Sequence, residues 1–291
     1  MARPSVDPAT QAAIAGVLEA PKFELIPLKN VDDQAAFLPP GATVPVTASP
    51  SKSIEATVEL CERLKARGFA VIPHLSARMI RDRGHLAELL ARLDAAAIHH
   101  AFVVGGDADQ PGDFPDGLSL LRAMAEIGHR LTEIGVPGYP DGHATIPEAA
   151  LRQALADKQP YVHYMTTQMC FDPAAITAWL AGRRAAGITL PAWIGLPGVA
   201  ELHKLILISA RIGVADSRRF LAKNTRLVGR LVRPGGYSPH ALLEGLAPSF
   251  VDPIADIRGL HIYTFNQVET TEEWRRRYLA TLASPSPVAP A

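Results

Sequence analysis

A glutamate lies inside an apolar run near the start of the chain, Glu24 in Phe23-Glu24-Leu25-Ile26-Pro27-Leu28. Taking a carboxylate out of water is costly unless a partner or a proton neutralises it. A carboxyl in a poorly solvated place therefore keeps its proton to higher pH, which is what a general acid working near neutrality requires. Pairing with a lysine or arginine in a structural network is an equally ordinary reading of Glu24. Other polar residues close later apolar runs: Thr47, His74, Gly106 with Asp107, Tyr139 followed by His143, Gln168, and Tyr263 followed by Asn266 and Gln267. His74, Asp107 and His143 have side chains that can ligate a divalent cation, which suggests a metal-assisted lyase or hydrolase. No HxH, HExxH or other close pair accompanies them, and isolated histidines more often make ordinary hydrogen bonds. Gly105-Gly106 permits close approach of backbone to a ligand, and amides there could meet a phosphate. GxGxxG, GxxxxGK[ST] and GxSxG are absent, so nothing points to a dinucleotide fold, a P-loop or a serine-hydrolase elbow.

These residues need elements to hold them. Eight apolar runs read as buried strands: Phe23 to Leu28, Thr43 to Ala48, Ala70 to His74, Ala101 to Gly106, Val136 to Pro140, Tyr164 to Gln168, Ala192 to Pro197 and Leu260 to Phe265. Between them lie stretches with apolar residues three and four apart, such as those from Ser53, His85 and Leu118, which read as amphipathic helices. Strands that alternate with helices and are apolar on both faces belong to a parallel sheet. Eight such units over about 265 residues match the size of a closed (β/α)8 TIM barrel; a doubly wound sheet is the other α/β arrangement. In a barrel the strands' C-terminal ends form one mouth, so the polar residues above converge there. More than one helical stretch separates the seventh and eighth strands, so extra helices are expected at that point. The division is an N-terminal arm over 1–20, the barrel over 21–285 and a disordered Pro/Ser/Ala-rich tail over 286–291.

Composition narrows the partner. Lys plus Arg and Asp plus Glu both number 29, giving zero formal charge, so general nucleic-acid binding is disfavoured. Hydrophobic residues make up 48% and charged residues 20%, an ordinary globular balance. No apolar run approaches the roughly 20 residues that span a bilayer, and the start lacks a signal-peptide core. The expectation is a cytoplasmic protein with a small-molecule substrate. Cys61 and Cys170 stand far apart without a CxxC, and read as buried thiols. Barrels expose several helix faces, which leaves a homo-oligomer open.

Taken in order, the strand-end segments resemble the methylenetetrahydrofolate reductase family over about residues 21 to 285. The likeness rests on FELIP, PVTAS, IPHLSAR, GGDADQPG, GYPDGH, TTQMCFD, WIGLPG and GLHIYTFN. It implies a barrel that holds FAD without a covalent bond, contacted by Thr47, His74, Gly106, Asp107, Tyr139 and His143. It further implies ping-pong reduction of 5,10-methylenetetrahydrofolate to 5-methyltetrahydrofolate, with NADH or NADPH as reductant. Glu24 corresponds to the family's general acid, and Asp107 to the carboxylate that tunes the flavin and contacts the pterin. Gln168 corresponds to the substrate-binding amide. Three departures stand out: Gly105 replaces an arginine that meets the flavin diphosphate, Leu25-Ile26-Pro27 replaces an aromatic-Pro-Pro, and Gln267 replaces a folate-binding arginine. Three further readings follow: a diverged member that binds flavin poorly and passes hydride directly, a barrel that binds folate without reducing it, and the metal-assisted enzyme.

Overall fold

The protein is described by a computed structural model covering residues 7–49, 51–143, 145–199 and 239–283. Eight parallel strands follow one another around a closed barrel. They are β1 (Lys22–Glu24), β2 (Thr43–Val46), β3 (Ala70–Ser76), β4 (His100–Val104), β5 (Glu133–Gly138), β6 (Tyr164–Thr167), β7 (Ala192–Pro197) and β8 (Ile257–Tyr263). The helices are α1 (Pro8–Glu19), α2 (Val31–Ala35), α3 (Ile54–Ala66), α4 (Arg83–Ala95), α5 (Gly117–Ile127), α6 (Glu148–Lys158), α7 (Pro173–Ala185), α8 (His240–Phe250) and α9 (Val268–Ala283). Of the helical stretches expected between the last two strands, α8 is described and those from Glu201 to Val232 lie outside the described residues, as does the expected tail.

Local chemistry sets where the helices begin. Asp82 accepts from the His85 amide at 2.8 Å to start α4, and Asp116 with Ser119 forms a capping box on α5. Asp172 accepts from the Ala174 amide at 2.9 Å to start α7. Each satisfies amides that the first turn leaves without intrahelical partners. α1 buries Ile14 and Leu18 completely and contributes them to the same core as α8 and α9.

Because side chains alternate along a strand, the barrel has two cores. The larger fills the space between strands and helices, with Val44, Leu75, Val103, Met165, Ile194 and Ile262 facing outward from the sheet. The smaller, inside the barrel, centres on Ile72, Phe102 and Tyr164, with Val104 and Trp193 packed against them. The register places Lys22 beside His261 and Glu24 beside Tyr263, so all four share the inward phase. At the floor, where the strands begin, a Cβ on Gly135 would lie 2.2 Å from Tyr164 Cζ. Glycine there lets the Tyr164 ring lie flat on β5 and fill the barrel axis.

Candidate active site

Glu24 ends β1 with its side chain in the barrel, and the residue is 8% exposed. His261, one layer in from the end of β8, puts Nε2 3.0 Å from Glu24 Oε2. His74 puts Nε2 3.8 Å from the same oxygen. β3 runs on to Ser76, so His74 stands two residues inside its strand, at the depth of Glu24 rather than at the rim. Burial pushes the Glu24 carboxyl up to about 7, with His74 opposing. Burial pushes His74 down to about 4, with Glu24 opposing, and pushes His261 down to about 3, with the charge of Lys22 adding to the effect. Near pH 7 both histidines are therefore neutral rings, so His261 meets the carboxyl through a hydrogen bond and not an ion pair, while His74 at 3.8 Å stands outside hydrogen-bond distance.

The backbone carrying Glu24 is fixed from β8. Thr264 donates its hydroxyl to the Glu24 carbonyl. Asn266 accepts from the Ile26 amide and donates to the Ile26 carbonyl, both at 2.9 Å. Asn266 is 1% exposed with φ +52°, a conformation that asparagine tolerates better than most residues. Tyr263 donates its hydroxyl to the Thr167 carbonyl at 3.0 Å. Burial, with Glu24 contributing, holds that phenol well above its ordinary range.

The rim carries the other sequence-derived residues. Thr47 follows β2, and its hydroxyl oxygen is buried with no hydrogen-bond partner among the described residues. Gly106 has φ +86°, and a Cβ there would fall 2.0 Å from Ser76 Oγ, so only glycine fits where the β4 loop crosses the end of β3. Arg78 ties that loop down, donating to the Ala108 carbonyl at 2.6 Å and the Asp109 carbonyl at 3.1 Å. Asp107 is exposed. Tyr139 is half-buried, its phenol pushed up to about 12 by burial and by the Asp107 charge. His143 meets Tyr139 edge-on with ring centres 5.4 Å apart, and its Nδ1 accepts from the Thr145 and Ile146 amides of its own loop. Gln168 is exposed, its Oε1 accepting from the Met169 amide at 2.9 Å, and Gln267 donates from Nε2 to the Asn266 carbonyl at 3.1 Å. Gly105 leaves open space where a side chain would stand. A cation does approach the exit of β4: a Cβ on Gly117 would lie 3.6 Å from Lys158 Cε and 3.6 Å from the Val104 carbonyl carbon. Burial lowers the Lys158 ammonium, with Asp116 opposing.

The structure thus brings Glu24 together with His74, links Tyr139 to Asp107 and His143, and leaves Gln168 and Gln267 on separate strand ends. Among the described residues no group of three or more His, Cys, Asp or Glu side chains is placed to hold a metal ion, so His74, Asp107 and His143 do not assemble as a metal set. Sequence reading missed His261 and Lys22. The alternation of strands was the available signal: if Tyr263 faces the interior so does His261, and if Glu24 does so does Lys22.

No family model matches this chain. Among the solved structures that align with it, two do so at low identity. One, from Burkholderia cenocepacia and described as a phosphonomutase, shares 17% identity over 76% of this chain and 98% of its own, with a TM-score of 0.42. The other, a chitinase from Rhizomucor miehei, shares 11% over 89% of this chain and 100% of its own, with a TM-score of 0.44. Neither likeness carries an argument about chemistry. Among the described residues, no helix is long and apolar enough to cross a membrane.

Proposed function

We propose that this protein is an enzyme, a reductase that converts 5,10-methylenetetrahydrofolate to 5-methyltetrahydrofolate at the barrel mouth, as the resemblance of its strand ends to the methylenetetrahydrofolate reductases implies. The observation that supports this best is the Glu24 carboxyl, pushed up to about 7 at the end of β1. Opening the five-membered ring of the substrate needs a proton on the departing nitrogen. A carboxyl whose pKa matches the working pH is the group suited to supply it. Glu24 gives its proton to that nitrogen, the carbon–nitrogen bond breaks with its electron pair on nitrogen, and the resulting iminium carbon accepts hydride. In that resemblance Asp107, exposed at the rim, and the Gln168 amide correspond to the residues that meet the pterin.

The resemblance implies a bound flavin. The buried, unpartnered Thr47 hydroxyl, the glycine-only approach at Gly106 and the Lys158 cation beside the exit of β4 fit a polyhydroxylated anionic cofactor. Thr47, Gly106, Tyr139 and Lys158 would hold it; His143 would turn from its own loop to join them. When bound, FAD supplies the hydride, which it receives from NADH or NADPH. The exit of β4 favours a second reading, direct transfer from the nicotinamide to the folate: among the described residues there, Gly105 leaves open space and Arg78 is committed to loop carbonyls, so neither position offers a guanidinium to a diphosphate. The test is an anaerobic two-step assay on the purified protein. Yellow protein bleached by reduced nicotinamide and recoloured by methylenetetrahydrofolate supports the first reading. Colourless protein that oxidises nicotinamide only with the folate present supports the second, and no reaction in either step overturns both.

A further inference from the structure

Glu24 is met on one oxygen. His261 Nε2 and His74 Nε2 both approach Oε2, at 3.0 and 3.8 Å, and no hydrogen bond to Oε1 is found among the described residues. His261 is 2% and His74 7% exposed, and His74 Nε2 is buried without a hydrogen-bond partner among the described residues. Packing fixes both rings: His74 lies 4.8 Å from the Phe102 ring centre and His261 4.8 Å from that of Tyr263.

We propose that His261 and His74 form a two-imidazole cradle for the Glu24 carboxyl, in which neutral His261 donates Nε2–H to Oε2 and leaves Oε1 as the oxygen that holds and delivers the proton. His261 is then a positioning residue, acting on substrate only through Glu24. As the proton leaves, the O–H bond breaks and its electron pair stays on the carboxylate. The charge spreads to Oε2, where the bond from His261 becomes charge-assisted and stronger. His74 Nε2 flanks the same oxygen at 3.8 Å and becomes a second donor only when the two groups close by a few tenths of an ångström. Neither ring changes charge, so the proton count changes at Glu24 alone. The other groups facing the pair are Tyr263 from β8, whose hydroxyl is committed to the Thr167 carbonyl, and Lys22 from β1, in register with His261. The delivery of the proton to folate rests on the proposed function; the cradle itself does not.

The test is an infrared titration of substrate-free protein, following the protonated carboxyl band that Glu24→Gln removes. Wild type should half-titrate near pH 7. His261→Phe should raise that midpoint by about one pH unit, since the carboxylate loses a charge-assisted hydrogen bond, and His261→Gln, which keeps an N–H donor, should restore most of the difference. A purely structural histidine would leave the midpoint in place, and a midpoint unchanged or lowered in His261→Phe overturns the proposal. Should that variant fail to fold, nitrogen-15 histidine NMR of wild type decides. A neutral His261 ring protonated at Nε2 between pH 6 and pH 8 supports the cradle, and an unprotonated Nε2 or an imidazolium overturns it. No substrate is present in these experiments, so failure of the reductase reading appears only in the two-step assay and failure of the cradle only here.

Discussion

Glu24 and Lys22 stand two residues apart on β1, share the inward phase, and are both shifted toward neutrality by burial, to about 7 in each case. For Glu24 this has a kinetic consequence: the acid form is lost as pH rises through its folded pKa. The folate half-reaction should therefore slow about tenfold per pH unit above pH 7, while reduction by nicotinamide, which needs no proton from Glu24, should not follow that profile. Stopped-flow rates from pH 6 to pH 9 check this; parallel profiles for both steps contradict it. The carboxyl was legible in the sequence because an acid inside an apolar run is anomalous. Its partner was less so. A histidine within Leu-His-Ile-Tyr reads as ordinary core, and only the side-chain alternation of β8, anchored by Tyr263, reveals that His261 looks inward at Glu24.

At the scale of elements, β1 and β8 form the device that holds Glu24. β1 is only three residues long, and the run from Leu25 to Leu28 that reads as continued strand bends away after Leu25 bridges Val46. Asn266 replaces the missing ladder, taking both backbone groups of Ile26 with its side-chain amide. Asn266→Ala strips two buried backbone hydrogen bonds and leaves alanine at a positive φ, so unfolding free energy should fall by about 2–4 kcal/mol. Asn266→Asp, which keeps only an acceptor, should fall between wild type and Ala. Denaturant titration measures both, and a loss under about 0.5 kcal/mol in Asn266→Ala would show that the staple is dispensable. Elsewhere each run overlaps its strand, Ala192–Pro197 being the same in both, while β5 and β8 each begin three residues before the expected run and end two residues before it does. Apolar run length marks a barrel strand well where both ends are turns, and poorly at β1, where the decisive hydrogen bonds come from a side chain 240 residues away.

Across the whole molecule, the barrel interior is a column with Lys22 at its floor and Glu24 toward its mouth. Lys22 Nζ has no hydrogen-bond partner among the described residues and sits 3.8 Å from the ring centres of both Tyr164 and Trp193, so two aromatic faces stand in for water. Burial lowers this ammonium from 10.5 to about 7, with Glu133 opposing. A cation with a depressed folded pKa subtracts most from stability below about pH 7, and that deficit shrinks as pH rises toward 10.5. Glu24 works in the other direction: raised from 4.5 to about 7, it contributes nothing adverse below pH 4.5 and subtracts progressively up to pH 7. The two deficits overlap most near pH 7. Lys22→Met/Glu24→Gln should therefore raise the melting temperature over wild type by more at pH 7 than at pH 5 or pH 9; a gain that varies monotonically with pH contradicts the linkage. The closed barrel was readable from the count and spacing of apolar runs, whereas this charged column was not, because lysine at the start of a strand looks like a surface residue until the floor closes over it. The measurement that bears most directly on Glu24 as proton donor is a comparison of Glu24→Gln with wild type in the two anaerobic half-reactions. Reduction by nicotinamide should remain within about threefold of wild type, while methylenetetrahydrofolate turnover should drop by 10²–10⁴-fold. Equal loss in both steps, or an undiminished second step, would contradict the role assigned to Glu24.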